Sequence, residues 1–288
     1  MSLPNAVLPK AEVIGDPIAH SKSPLIHGFW LAKLGMDGLY EKTRVAGEDL
    51  GAFFADRRDR PGWRGCNVTV PHKQAVIPFL DRIDPVAARI GAVNTVVVTP
   101  EGLVGHNTDA AGFLEPLRHL LAERHLYRMA RILGAGGAAK AVAHALAGHG
   151  FTLVIAARRI EQAEALAAEI DGVDTHVATL DHFADATDFA FDDRESMLDI
   201  VVNTTPLGMT GQPPLPFDFS HVPPGALIYD IVYAPLETAL LAEGRARGHV
   251  GVDGLDMLIG QAAEAFRLFF GQPAPREHDA ELRALLTA

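Results

Sequence analysis

Leu133-Gly134-Ala135-Gly136-Gly137-Ala138-Ala139 follows an apolar run ending Arg131-Ile132-Leu133 and opens an alanine-rich, helix-prone stretch. This is the turn with which a dinucleotide-binding fold begins. Gly134 permits the tight turn, Gly136 lets the backbone approach a pyrophosphate, and Ala139 in the third glycine's place lets helix and strand pack closely. The N–H groups at the helix start, around Ala135, Gly137 and Ala138, then face the phosphates. Such a motif normally opens a domain, yet about 130 residues precede it, enough for a domain of their own. Whatever the nucleotide acts upon is expected there.

From Met129 onward, short apolar or β-branched runs alternate with helical stretches. The runs are Arg131–Leu133, Thr152–Ala156, Asp199–Asn203, Ala226–Val232 and His249–Val252; the stretches between them include Ala138–Ala147, Ile160–Ile170 and Leu236–Arg247. This alternation predicts a parallel sheet with helices on both faces. The segment Gln212-Pro213-Pro214-Leu215-Pro216 reads as a loop. Before residue 110, Glu12–Gly15, Tyr40–Arg44, Cys66–Val70 and Asn94–Val98 read as strands of a second α/β unit. Met257–Phe270 and the tail to Ala288 have no place left in the nucleotide sheet and are expected to return to the first domain. The division expected is 1–109 with 255–288 as the first domain, and 110–254 as the Rossmann domain.

Composition bounds the function. At 288 residues and 48% apolar content, two cores can be filled. No apolar run approaches the roughly 20 residues that span a bilayer, and Met1-Ser2-Leu3-Pro4-Asn5 lacks a signal-peptide pattern, so a cytoplasmic chain is expected. A net charge of −11 without a long basic block argues against nucleic-acid and acidic-membrane partners. Arg57-Arg58-Asp59-Arg60 mixes both signs and reads as a solvated face. The single cysteine, Cys66, forbids an internal disulfide and reads as a buried small hydrophobe. The thirteen histidines include no His-Glu-x-x-His or comparable set, so no metal site is expected.

A nicotinamide enzyme needs a group to handle the hydroxyl proton while hydride moves at carbon. The Tyr-x-x-x-Lys pair of short-chain dehydrogenases is absent, since the residues four beyond Tyr40, Tyr127, Tyr229 and Tyr233 are Arg44, Arg131, Tyr233 and Glu237. Among six lysines, Lys73 stands out. Asn67-Val68-Thr69-Val70-Pro71-His72-Lys73 reads as a strand that ends at a proline and delivers a lysine to a helix start, where the helix dipole and desolvation would lower its pKa toward a general acid or base. Taken alone, the segment reads more readily as a solvated first-turn lysine, and His72 reads as structural. In Gly105-His106-Asn107-Thr108-Asp109 a strand ends and a helix begins, and Asp109 is either the cap of that helix or a catalytic carboxylate. In Pro17-Ile18-Ala19-His20-Ser21-Lys22-Ser23-Pro24 the hydroxyls of Ser21 and Ser23 suit a carboxylate, while N-capping also accounts for Ser23.

Together these segments closely resemble the shikimate dehydrogenase family. The resemblance spans nearly the whole chain: Val13–Pro24, Asn67–Lys73, Gly91-Ala92-Val93-Asn94-Thr95, Asn107–Asp109, Gly134–Ala139, Asn203-Thr204-Thr205-Pro206-Leu207-Gly208-Met209, Tyr229-Asp230-Ile231-Val232-Tyr233 and Gly254-Leu255-Asp256-Met257-Leu258-Ile259-Gly260-Gln261. It implies an N-terminal α/β substrate domain, a Rossmann domain and C-terminal helices returning to the first. It implies that Lys73 exchanges the proton of the reacting ring hydroxyl and that Asp109 orients it. Ser21 and Ser23, helped by Tyr233, would hold a substrate carboxylate; Thr69, Asn94 and Gln261 would contact ring hydroxyls or the catalytic pair. The nicotinamide would lie near Thr204, Ile231 and Gly254. The implied reaction is the NADP-dependent interconversion of 3-dehydroshikimate and shikimate, in aromatic amino-acid biosynthesis.

Two departures bear on this. NADP-dependent members usually carry Asn-Arg-Thr-x-x-Arg after the second Rossmann strand, whereas this chain reads Ala157-Arg158-Arg159-Ile160-Glu161-Gln162. Arg158 and the added Arg159 suit a 2′-phosphate, while the missing Asn and Arg leave NAD or dual use as the alternative. Ala110 follows Asp109 where glycine is common. A shikimate and quinate dehydrogenase, and a nucleotide-responsive binding protein without turnover, stand as the other readings. Oligomeric state is not legible.

Overall fold

The computed structural model describes residues 7–191 and 194–288; the opening Met1-Ser2-Leu3-Pro4-Asn5 lies outside them. The first sheet is built from β1 (Lys10–Gly15), β2 (Leu39–Arg44), β3 (Trp63–Val68), β4 (Arg82–Ile83), β5 (Thr95–Thr99) and β6 (Gly102–His106). Their order is β2-β1-β3-β5-β6-β4. β1 pairs in parallel with both β2 and β3, while β5 runs antiparallel to β3 and β6. The carboxyl ends of β1, β3 and β6 therefore share one end of the sheet with the start of β5. A short polar connection such as Ser21 to Ser23, or Asn94, placed at that end meets the others without any long-range rearrangement.

The second sheet contains β7 (Tyr127–Leu133), β8 (Thr152–Ala157), β9 (Thr175–Thr179), β10 (Met197–Asn203), β11 (Leu227–Asp230) and β12 (Val250–Val252). Every pairing is parallel and the order is β12-β11-β10-β7-β8-β9. Parallel neighbours need crossovers, and the helices Gly137–Ala147, Ile160–Ala168 and Ala239–Ala246 supply them, packing on β7 and β8, on β8 and β9, and on β11 and β12. Strand order reverses between β7 and β10. In an open α/β sheet that point leaves a crevice outside the carboxyl ends of the strands, which is where ligands bind.

Contacts divide the chain into Met1–Thr108 with Ile259–Ala288, and Asp109–Leu258. The helix Gly254–Phe270 gives Ala265 and Phe269 to the core that Ala11, Val13, Tyr40 and Val97 form on the first sheet, so the C-terminal return expected from sequence is present. Gly65 makes this possible, because a Cβ there would lie 3.0 Å from Phe269 Cε1. Cys66 is fully buried, and burial pushes its thiol well above the usual range.

Two strands escaped the sequence reading, β4 and the polar edge strand β9, while β6 ends at His106 and a helix opens at Asp109 as Gly105–Asp109 reads. One expectation fails outright. No helix begins at Lys73; residues 70–76 form turns, closed by His72 N–H to Thr69 O at 2.9 Å and Val76 N–H to His72 O at 3.0 Å, before a single 3-10 turn at Ile77–Phe79. Pro78 has no N–H to give to a carbonyl four residues back, so the turns do not extend into an α-helix. Lys73 therefore meets no helix dipole. Among the described residues no helix is long and apolar enough to cross a membrane.

Candidate active site

In the first unit, β1 ends at Gly15, against which a Cβ would meet Val70 O at 3.1 Å. That close approach sets the loop after β1 beside the segment after β3. Thr69 N–H donates to Ile14 O at 2.9 Å and Asp16 N–H to Val70 O at 3.3 Å. The loop is held from outside by the ion pair of Arg44 with Asp16 at 2.7 Å and by Lys42 Nζ on Ala19 O at 2.6 Å. Arg44 lowers the Asp16 carboxyl. Ser21 Oγ accepts from Ser23 N–H at 3.3 Å. The helix Ser23–Lys33 has Lys22 at its N-cap position and no side-chain cap, so Ser23 is not the cap; it is the first, buried residue of the helix.

Lys73, half-buried, is fixed through its main chain, since Val93 N–H donates to Lys73 O at 2.7 Å. Asn94 follows at once and is buried. Its Oδ1 accepts from Thr108 N–H at 2.7 Å, and its Nδ2 donates to Thr108 Oγ1 at 3.0 Å. Thr108 Oγ1 in turn reaches Gln261 Oε1 at 3.5 Å. The first unit thus gathers Ser21, Ser23, Thr69, Lys73, Asn94 and Gln261 around one end of its sheet. His72 is structural, with Nε2 2.7 Å from Val45 O.

Asp109 and Tyr233 belong to the second unit. Asp109 is buried and opens the helix Asp109–Leu114, directly after Thr108. Tyr233 is half-buried, and burial raises its phenol above the usual value.

The second unit forms a cradle at the reversal of strand order. Gly134 has φ +118° and takes Ala156 O at 2.7 Å through its N–H; a Cβ there would collide with Thr204 Oγ1. Gly136 caps the helix Gly137–Ala147, and a Cβ on it would meet nothing within 4 Å. Ala135 and Ala138 flank it, and Ala139 is fully buried. Arg158 and Arg159 lie exposed just beyond β8. Their backbone follows the strand next to the glycine turn, since Gly134 N–H is tied to Ala156 O. These features fit a dinucleotide: a phosphate can reach the backbone over Gly136, and the helix start supplies N–H donors.

Thr204, Ile231 and Gly254 are brought together by main-chain contacts. Ile231 N–H donates to Asn203 O at 3.1 Å and Gly254 N–H to Val232 O at 3.2 Å, and Gly254 is so close to the Ile231 carbonyl that no Cβ fits. Asp230, which the sequence reading did not single out, ties this junction. Its carboxylate accepts from Asn203 Nδ2 at 2.9 Å, Val232 N–H at 3.0 Å and Thr238 Oγ1 at 2.6 Å. Burial raises its pKa, against those three hydrogen bonds. The available signal was an acidic residue closing an apolar strand. Tyr40, Asn67 and Thr95 also went unremarked, although each is buried and hydrogen-bonded near Asn94.

Residues 13–96 match the family described as the shikimate dehydrogenase substrate binding domain, 120–205 the shikimate/quinate 5-dehydrogenase family, and 254–281 the shikimate 5'-dehydrogenase C-terminal domain. A shikimate dehydrogenase (NADP(+)) of Sphingopyxis alaskensis is 50% identical over 282 residues, covering 97% of each chain. Among solved structures, a shikimate dehydrogenase in complex with NADP+ superposes with a TM-score of 0.86 at 32% identity, covering 100% of this chain and 98% of its own. The shikimate 5-dehydrogenase of Thermus thermophilus in complex with NADP(H) and shikimate gives 0.81 at 35% identity, covering 96% and 99%.

Proposed function

The chain belongs to the shikimate dehydrogenase family and is an NADP-dependent oxidoreductase interconverting 3-dehydroshikimate and shikimate, and we propose that Lys73 and Asp109 carry the proton transfer of this reaction. The observation that carries the site assignment is the convergence of Ser21, Ser23, Thr69, Lys73, Asn94 and Gln261 at one end of the first sheet. In this reading the first unit holds the ring acid and the second holds the nucleotide.

Bound NADP(H) supplies or takes the hydride at the ring carbon. In oxidation the O–H bond of the reacting hydroxyl breaks, its proton passes to Lys73 Nζ, and the oxygen becomes a carbonyl as hydride leaves carbon. In reduction Lys73 returns that proton to the carbonyl oxygen. Asp109 orients the hydroxyl and offsets positive charge gathering on Lys73. Ser21 and Ser23, with Tyr233, bind the carboxylate, which lies away from the reacting carbon; Thr69, Asn94 and Gln261 fix the ring hydroxyls.

Gly134–Ala138 receive the pyrophosphate on backbone N–H groups, Arg158 and Arg159 the 2′-phosphate, and Thr204, Ile231 and Gly254 border the nicotinamide. Glu161, exposed in the first turn of the next helix, opposes the phosphate, so a measurable residual rate with NAD is part of this reading. The partner is a small molecule, and the acidic balance of the chain suits a cytoplasmic enzyme without nucleic-acid binding.

Nicotinamide absorbance, followed when purified protein is mixed with shikimate or quinate and either cofactor, tests the reading. Reduction of NADP+ by shikimate is expected; no absorbance change with shikimate would leave a binding protein without turnover.

A further inference from the structure

Behind the residues assigned to the ring acid runs a buried chain of side-chain hydrogen bonds. Tyr40 Oη donates to Asn67 Oδ1 at 2.6 Å; Asn67 Nδ2 donates to Thr95 Oγ1 at 2.9 Å; Thr95 Oγ1 donates to Asn94 Oδ1 at 3.0 Å. The chain continues from Asn94 Nδ2 through Thr108 Oγ1 toward Gln261.

The direction of this chain is set by two main-chain groups that cannot change role. Asn94 O only accepts, and it takes Asn67 Nδ2 at 3.2 Å, so Asn67 must turn its Oδ1 toward Tyr40. Thr108 N–H only donates, and it meets Asn94 Oδ1 at 2.7 Å, which fixes the second amide. Thr95 Oγ1 accepts from Asn67 and donates to Asn94, with Thr108 Oγ1 3.4 Å away as a second neighbour. Tyr40 gives its proton to Asn67. The two amides, of Asn67 and Asn94, are thereby each held in a single orientation.

We infer that Tyr40, Asn67 and Thr95 are positioning residues for the substrate site, holding the Asn94 amide at the ring-hydroxyl end in one fixed orientation. The inference rests on the functional reading above. Thr95 is 0% exposed, Asn67 6% and Tyr40 8%, so bulk water does not replace a missing member. Loss of one link therefore frees an amide or hydroxyl that the ring acid needs held. The nucleotide residues lie in the other unit and take no part in the chain.

Steady-state kinetics with shikimate and NADP+, together with thermal melting, test this on Tyr40→Phe, Thr95→Val and Thr95→Ser. Tyr40→Phe keeps the ring stacked 3.9 Å from His27 and removes only the hydroxyl. Tyr40→Phe and Thr95→Val are each expected to raise the shikimate KM about five- to twentyfold, the effect of roughly one buried hydrogen bond. The NADP+ KM should stay within about twofold, and Thr95→Ser should recover most of the loss, because it restores the hydroxyl. A purely structural role would lower the melting temperature and leave the shikimate KM unchanged in both variants, or move the two KM values in step; either result overturns the inference. Should Thr95→Val not fold, Tyr40→Phe decides the matter alone. A wild-type protein that neither binds nor oxidises shikimate sinks the functional reading and this inference with it, whereas an active wild type with indifferent variants sinks the inference only.

Discussion

Alanine at Gly134 and alanine at Gly136 should have opposite consequences, although the two positions are neighbours in one turn. At Gly134 the backbone has φ +118°, a conformation that costs a side-chain-bearing residue about 1–3 kcal/mol. The new Cβ would also strike Thr204 Oγ1 and lie 3.2 Å from both Thr204 C and Thr205 Cγ2. Thr204 Oγ1 donates to Leu133 O at 2.8 Å, and displacing it forfeits about 1 kcal/mol more. The sum, roughly 2–4 kcal/mol, corresponds to a melting midpoint lowered by about 5–15 °C. At Gly136 φ is −87° and nothing stands within 4 Å of the added Cβ, so the unliganded protein should lose less than about 1 kcal/mol. The methyl group instead occupies the space over which a pyrophosphate would approach the helix N-terminus. Losing one charge-assisted contact there is worth about 1.5–3 kcal/mol, a ten- to hundredfold rise in the NADP+ KM, with the shikimate KM unmoved. Melting curves and steady-state kinetics on both variants separate the effects. An unchanged cofactor KM in Gly136→Ala would refute the placement of the phosphates, and an unchanged melting midpoint in Gly134→Ala would refute the strain argument.

Lys73→Ala should lower kcat by roughly 10²–10⁴-fold with a much smaller change in shikimate KM, because proton transfer occurs in the transition state; near-wild-type turnover would remove Lys73 from the mechanism, and Asp109→Asn should be severely impaired as well. Ser21→Ala and Ser23→Ala should each raise the shikimate KM by about ten- to a hundredfold, since the carboxylate is bound alike in ground and transition states; two unaltered KM values would place the carboxylate elsewhere. Wild-type kcat/KM should be higher with NADPH than with NADH, and Arg158→Ala should erode that preference by weakening NADPH alone; equal values in the wild type would show that the two arginines do not read the 2′-phosphate. His27 is fully buried, both ring nitrogens lack hydrogen-bond partners, and burial depresses its pKa to about 3. The unfolded chain takes up this proton near the ordinary value of 6.5 while the native state refuses it, so stability falls as pH drops between 6.5 and about 3, by roughly 2 kcal/mol at pH 5. His27→Phe keeps an aromatic ring against Tyr40 and should flatten that decline in urea melts at about pH 7 and pH 5; an unchanged slope would mean that His27 is not the responsible group.

What could be read in advance followed from how local each determinant is. The turn Gly134–Ala139 and the apolar runs of the second sheet carry their own instructions within a few residues, so the parallel sheet was legible. β9 was not, because Thr-His-Val-Ala-Thr at a sheet edge is largely exposed and shows no apolar run. The end of β6 at His106 was legible, whereas its start was not, because Gly102 and Gly105 lower strand propensity in Gly-Leu-Val-Gly-His. The expected helix at Lys73 failed for a related reason: Pro71 reads as ending the strand and suits a helix start, whereas Pro78, five residues beyond Lys73, limits what can follow. The site divides in the same way. Residues that would touch ligands sit in short motifs whose resemblance to a family could be recognised. The groups behind them could not be found so, because the bond from Asn67 to Thr95 exists only through the antiparallel register that sets Asn67 opposite Thr95. The donors to Asp230 likewise come from Asn203, Val232 and Thr238, on three different segments. A polar residue whose partners are fixed by strand register carries no local signature. The positioning layer of this site therefore emerges only once the sheets are assembled.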